Sequence, residues 1–204
     1  MTNLVCGVGV NDISDPTTYT RNGKQVRDHF YATWCGMLNR CYSEKYKKER
    51  PTYEGCFVCD EWKLFSNFKK WMLTQDWEGK QLDKDLLVGG NKEYSPQTCL
   101  FVSHAVNSAT LLSNGSRGAY PVGVYYNKRN RKYRAKCNDG TGTQLYLGVH
   151  QDILTAHQKW QMCKMQILSS IMRNQDDWLV RIGLQRIIDL IGRDYDNGKL
   201  TVSF

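Results

Sequence analysis

Apolar residues recur at three- and four-residue spacing along the first half of the chain. Phe30, Trp34, Met37, Leu38 and Cys41 fall on one face of a helix that the pattern places over about 26–46. The stretch KERPTYEGCFVCD interrupts it, with Pro51 and Gly55 as breakers. A second helix is expected over EWKLFSNFKKWMLTQ, where Trp62, Phe65, Phe68, Trp71 and Met72 form an apolar stripe. Residues 1–24 are polar, with Thr, Asn, Asp and Gly, and read as an irregular arm. The period then shortens. Residues 81–87 read as a strand, GGN as a turn, 99–102 as a second strand, and 103–112 as a helix capped by Ser103.

The second half opens with alternation of period two. Three strands are expected, over 123–126, 132–137 and 144–149, with turns at NKRNR and NDGTG. In the middle strand Tyr133, Ala135 and Cys137 point one way and Lys132, Arg134 and Lys136 the other. In the third, Leu145, Leu147 and Val149 point inward and Gln144 and Tyr146 outward. A helix over about 152–173 is expected to cover the apolar face with Ile153, Ala156, Trp160, Cys163, Met165 and Ile167. A last helix, about 178–191, carries Leu179, Ile182, Leu184, Ile187, Ile188 and Ile191 for docking on this chain or on a second copy. The fold class is α+β. The Gly- and Ser-containing LLSNGSRGAYP marks a boundary, giving units at 1–112 and 121–204 joined by a linker at 113–120.

Composition narrows the function. The chain has 204 residues, 41% of them hydrophobic, so a packed core is expected. No apolar run approaches the ~20 residues that span a bilayer. The N-terminus lacks a basic region followed by a long apolar stretch. A soluble, cytoplasmic protein with no membrane partner is expected. The net charge is +8, with basic residues interleaved with Tyr and Trp. Such a surface suits a phosphate backbone, the plainer alternative being a solubilising face. Of the eight cysteines, Cys56 and Cys59 form a CxxC pair. Cys41 and Cys99 are the candidates to complete a structural zinc site, with Cys35 a spare. The alternative is that these cysteines are small buried apolar residues.

Certain segments carry resemblances. WCGMLNRCY, RPTYEGCFVCDEWKLFSNFKKW and LDKDLLVGGNKEYSPQTCLFVSHAVN run across residues 30–107. Together they resemble the phage-type HNH endonuclease family. GVYY, KYRAKC, LYLGVH and AHQKW, across 122–160, resemble the ethylene-response-factor-type DNA-binding domain of plants, which also occurs beside HNH domains in mobile endonucleases. A nuclease core followed by a DNA-binding module is a common mobile-endonuclease layout.

The first resemblance implies a ββα-metal core with flanking helices, gripping one divalent cation, Mg or similar. Asp83 falls at the first metal-binding acid and Asn107 at the last metal ligand, with His104 one turn earlier on the same helix. Lys84 occupies the slot of the general-base His, Asp85 is a second acid able to act as base or ligand, and Asn91 is placed to orient a base or a phosphate. Thr98 stands where the middle Asn is usual. An ammonium with a reference pKa near ~10.4 is a poor base at neutral pH, so Lys84 is equally suited to holding a phosphate. On a regular strand Lys84 points away from Asp83 and Asp85. Asn91 beside two glycines is also an ordinary turn residue.

The second resemblance implies a sheet presented to the major groove of double-stranded DNA. The expected contact set is Lys128, Arg129, Arg131, Lys132, Arg134, Lys136, Gln144 and Tyr146, Arg reading guanine and Gln144 adenine. Two functions follow: a metal-dependent DNA endonuclease of phage or mobile-element origin, working in the host cytoplasm, or a catalytically silent DNA-binding regulator or inhibitor on a degenerate HNH scaffold. The last helix leaves a homodimer open.

Overall fold

The computed structural model describes residues 4–112 and 120–204. The chain forms two compact units, one of Met1–Asp85 and Asn91–Phe101, the other of Leu86–Gly90 and Val102–Phe204. The expected linker at 113–120 lies, apart from Tyr120, outside the described residues. The division does not follow it: the helix after Ser103 belongs with the second unit. The α+β class holds, with mixed helices and small sheets.

The first unit begins with a hairpin, β1 (Thr18–Arg21) and β2 (Lys24–Arg27), paired antiparallel from Thr18↔Arg27 to Arg21↔Lys24. Its turn residues Asn22 and Gly23 both have positive φ, 50° and 71°, the backbone that matches strand twist in two-residue hairpins. The arm expected to be irregular is therefore partly a hairpin. Helix α1 (His29–Tyr42) starts at Asp28, whose carboxylate accepts from the Tyr31 N–H. It ends at Ser43, and α2 (Glu44–Glu49) starts there, with the Ser43 side chain accepting from the Tyr46 N–H. The single helix expected over 26–46 is thus two. The second expected helix is shorter as well. A 3-10 turn at Glu61–Lys63 and an extended Leu64 precede α3 (Phe65–Met72).

Trp34, Trp62, Phe65, Phe68 and Met72 make the centre of this unit's core. Trp34 Nε1 donates to the Trp62 carbonyl at 2.7 Å, which satisfies the buried indole N–H. Two short strands, β3 (Phe57–Val58) and β5 (Glu93–Tyr94), pair in parallel. Strand β4 (Gln81–Asp83) pairs with β6 (Leu100–Val102). β4 stops at Asp83, four residues before the expected end.

In the second unit α4 (His104–Thr110) is capped by Ser103, whose side chain accepts from the Val106 N–H. The three-stranded sheet is antiparallel in the order β7 (Val124–Asn127), β8 (Lys132–Asn138), β9 (Gln144–His150). α5 (Ile153–Arg173) packs across it, and Val124, Ala135 and Ala156 are the buried centre. α6 (Trp178–Asp196) packs against α5 of the same chain through buried Val180, Leu184, Ile187 and Ile191. Its Arg186 side chain also donates to the Leu86 carbonyl, through Nε at 3.2 Å and Nη2 at 3.1 Å. Among the described residues no helix is long and apolar enough to cross a membrane.

The covering face of α5 differs from the expected stripe. Ala156, His157, Trp160, Gln161, Lys164 and Leu168 are buried, while Ile153, Cys163, Met165 and Ile167 are half-buried. Three of the buried six are polar, and each has named partners. His157 Nε2 accepts from the Thr201 N–H at 2.9 Å, so its proton sits on Nδ1, 3.0 Å from the Val122 carbonyl. Gln161 Nε2 donates to the Lys199 carbonyl and Thr201 Oγ1, both at 3.0 Å.

Candidate functional site

The sheet of the second unit has two unlike faces. Directly opposed residues in an antiparallel pair share a face. Val124↔Ala135 and Tyr126↔Tyr133 lie toward α5, whereas Tyr125↔Arg134 and Asn127↔Lys132 lie on the outward face. Between β8 and β9 the register is Asn138↔Gln144, Cys137↔Leu145 and Lys136↔Tyr146, then Arg134↔Val149 and Tyr133↔His150. Two residues, Leu147 and Gly148, therefore stand opposite Ala135. This is a β-bulge, and Gly148 takes the φ of +99° that it needs. The extra residue reverses parity beyond it. Val149, expected inward, is carried to the outward face beside Arg134 and is 38% exposed.

The outward face thus holds Lys132, Arg134 and Lys136 in the middle, Tyr125 on one side, and Gln144, Tyr146 and Val149 on the other. Tyr146 is 60% exposed. The Lys136 ammonium lies 5.9 Å from the centroid of the Tyr125 ring, a cation–π arrangement that holds both side chains upright. Lys128, Arg129 and Arg131 are exposed at the hairpin between β7 and β8. The Asn127 carboxamide oxygen accepts from the Arg129 N–H at 3.1 Å and shapes that turn. None of these six cations joins an ion pair among the described residues. Asp139, in the loop after β8, is engaged locally: its carboxylate accepts from Thr141 Oγ1 and N–H at 2.8 Å and from the Thr143 N–H at 3.2 Å. Those bonds, Thr141's first, hold its carboxyl below the usual range. All eight residues of the expected contact set lie on this outward surface or its hairpin. Tyr125 stands outside that set; period two in VYYN puts it on the face away from Val124, and the pairing puts it opposite Arg134.

The residues assigned to nuclease chemistry are placed differently. Lys84 is 5% exposed. Its ammonium donates to Asp85 Oδ1 at 2.5 Å and to the Asn91 carbonyl at 2.6 Å, and lies 5.8 Å from the Tyr94 ring centroid. Because β4 ends at Asp83, strand alternation does not apply to Lys84, and it meets Asp85 after all. Asn91 uses its carboxamide to close the same turn: Nδ2 donates to the Lys84 and Glu93 carbonyls, and Oδ1 accepts from the Glu93 N–H. Asp83 Oδ1 accepts from the Asp85 N–H at 2.9 Å. Thr98 Oγ1 donates to the Glu93 carbonyl at 2.9 Å. Lys84 and Asn91 are thus the two pins of one turn.

Asp83 belongs to the first unit; His104, exposed, and Asn107, half-buried, belong to α4 of the second. One Asp83 oxygen accepts a backbone bond, and Asp85 faces an ammonium that already supplies the positive charge. Among the described residues no group of three or more His, Cys, Asp or Glu side chains is arranged to hold a metal ion. Cys41, Cys56 and Cys99 lie inside the aromatic core and Cys59 packs against it. Burial pushes the Cys41 and Cys99 thiols up to about 12, so in this environment both are neutral thiols. Comparison with family models, curated proteins and solved structures finds no match to this chain.

Proposed function

We propose that the chain binds double-stranded DNA through the outward face of β7–β9. The observation that carries this reading is the segregation of Lys132, Arg134 and Lys136, unpaired by acids and flanked by Tyr125, Gln144 and Tyr146, on the side of the sheet away from α5. A face with guanidinium and carboxamide groups matches the donor and acceptor pattern of the major groove, and the lysines match phosphates. Arg134, between Tyr125 and Val149, is the residue best placed to reach a base edge. Anisotropy with a duplex chosen from a random-sequence library tests this. Arg134→Ala is expected to weaken binding by about 1–3 kcal/mol. Unchanged binding would remove the sheet from the interface.

A second reading adds endonuclease chemistry. It is favoured by one observation: β4, which ends at Asp83, pairs with β6. In this reading Asp83 is the acid, while Lys84 and Asn91 are scaffold, since the Lys84 ammonium is already held by a carbonyl and a carboxylate. Plasmid nicking with Mg, Mn or chelator tests it. The reading requires divalent-dependent nicking by the wild type that disappears in Asp83→Ala; without it, the chain is a DNA-binding protein alone.

A further inference from the structure

A cleft of about 100 Å³ opens in the second unit between α4, α5 and one end of the sheet. Its walls include Ser108, Tyr125, Lys136, Asn138, Gln144 and Lys164, and among the described residues no acid lines it. Lys164 is 3% exposed. Its ammonium donates to the Ala109 carbonyl at 2.9 Å and the Asn138 carbonyl at 3.1 Å. These carbonyls solvate the charge without neutralising it; Asp139 attracts it from outside ion-pair distance, and a buried cation without an acid in direct contact is costly. A plain tether between α5, α4 and β8 accounts for those two bonds. It does not account for the rest of the cleft.

A second cation, Lys136, stands on the same wall. The Asn138 carboxamide has a fixed sense: Oδ1 accepts from the Gly140 N–H at 2.7 Å, and Nδ2, the donor end, makes a long bond to Ser108 Oγ at 3.5 Å and keeps a second N–H. Gln144 is directly opposite Asn138 in the sheet, and its exposed carboxamide is a further donor. Two cations, two carboxamides, a hydroxyl and no carboxylate make a receptor for an oxyanion. Tyr125, Lys136 and Gln144 also belong to the outward face of the sheet, so an anion lying across that face has direct entry.

We infer that this cleft seats one phosphate group of a nucleic acid lying across the sheet. The inference rests on the DNA-binding reading and extends it to a named subsite. The phosphate is either an internal diester or a terminal monoester at a DNA end.

The test uses the full chain and three versions of one duplex: with 5′-phosphates, with 5′-hydroxyls, and closed by hairpins at both ends. Asn138→Asp keeps the acceptor that Gly140 needs and puts a carboxylate in the cleft. Gln144→Glu does the same from an exposed position, where folding is not at stake. Gln166→Glu, exposed on α5 away from the outward face of the sheet, is the control for added charge. Each cleft variant is expected to weaken binding about tenfold more than the control does. A preference for the 5′-phosphorylated duplex assigns a terminal phosphate, and equal binding of all three assigns a diester. Cleft variants no weaker than the control overturn the pocket.

Thermal unfolding in inorganic phosphate against chloride at equal ionic strength separates the two ideas. A phosphate-dependent rise in midpoint that Asn138→Asp and Gln144→Glu abolish supports the pocket even if no duplex binds, in which case the DNA-binding reading is what fails. A wild type that binds no duplex and gains nothing from phosphate overturns the pocket as well.

Discussion

Lys84 and Lys164 are lysines with almost no exposed surface, and both place the ammonium on backbone carbonyls. They differ in what surrounds them. Lys84 has Asp85 beside it and the Tyr94 ring within cation–π range, so its charge is balanced inside its own turn. Lys164 has no ion-pair partner in direct contact among the described residues; burial pulls its pKa down, opposed by the neighbouring thiols Cys137 and Cys163 and by the more distant Asp139. The first carries its counter-ion within its own turn; the second lies on a cleft that, among the described residues, no acid lines. Asp85 is itself 55% exposed, so the ion pair as such adds little. The bond to the Asn91 carbonyl is the part that replaces solvent. Lys84→Met would leave that carbonyl and the turn around it unsatisfied. It is expected to lower stability in urea by about 1–3 kcal/mol, with DNA affinity unchanged. A variant of full stability but weakened DNA binding would move Lys84 from scaffold to ligand contact.

At the scale of elements, what the sequence showed depends on how local the deciding interaction is. The three strands β7–β9 and the helix after them are legible because period-two alternation and Asx/Gly turns are local. The bulge at Leu147–Gly148 was not foreseen. A single inserted residue leaves the alternation of the letters intact and shifts only the pairing, so the outward position of Val149 follows from Arg134 across the ladder. The β1–β2 hairpin had its signal, Asn22–Gly23, but its strands are almost wholly exposed and carry no apolar alternation. α1 and α2 meet at a serine, without Gly or Pro, so the helical pattern runs through the break. The polar residues on the inner face of α5 were unreadable for the opposite reason: their partners, Ala109, Val122, Lys199 and Thr201, lie far along the chain. The cationic face of the candidate site could be read from β8 alone, whereas the cleft needs α4 and α5 brought to it. The start of α5 is local again. Asp152 accepts from the Thr155 N–H and Oγ1, both at 2.8 Å, and these bonds hold its carboxyl below the usual range. A depressed carboxyl contributes stability above its unfolded value of about 3.9, and the contribution is lost as pH falls through the folded value. Asp152→Ala is therefore expected to lower the thermal midpoint at neutral pH, and the gap should narrow as pH falls below the unfolded carboxyl value of about 3.9. A gap that persists in acid would mean that Asp152 acts by something other than its charge.

At the scale of the whole molecule, the net charge of +8 is not by itself evidence of a partner, because any solubilising surface can carry it. What distinguishes the two cases is whether the charges act together on one polyanion. Six cations, Lys128, Arg129, Arg131, Lys132, Arg134 and Lys136, occupy one hairpin and one strand face and have no ion-pair partner among the described residues. If all six displaced condensed counterions from a duplex, the logarithm of the binding constant would fall against the logarithm of salt with a slope of about −5. Replacing a phosphate-contacting residue such as Lys132 by Ala would make that slope shallower by about 1 for every duplex sequence alike. Replacing Arg134 would instead cost affinity unequally among sequences, since a lost base contact affects only the sites that offered it. An acidic protein partner has no condensed counterion layer of this kind, so a straight steep slope also separates DNA from that alternative. Titrations of the full chain between about 50 and 200 mM salt decide the matter. A wild-type slope no steeper than about −1 would mean that the six cations do not engage a phosphate backbone together, and the basic face would then be a solvated surface.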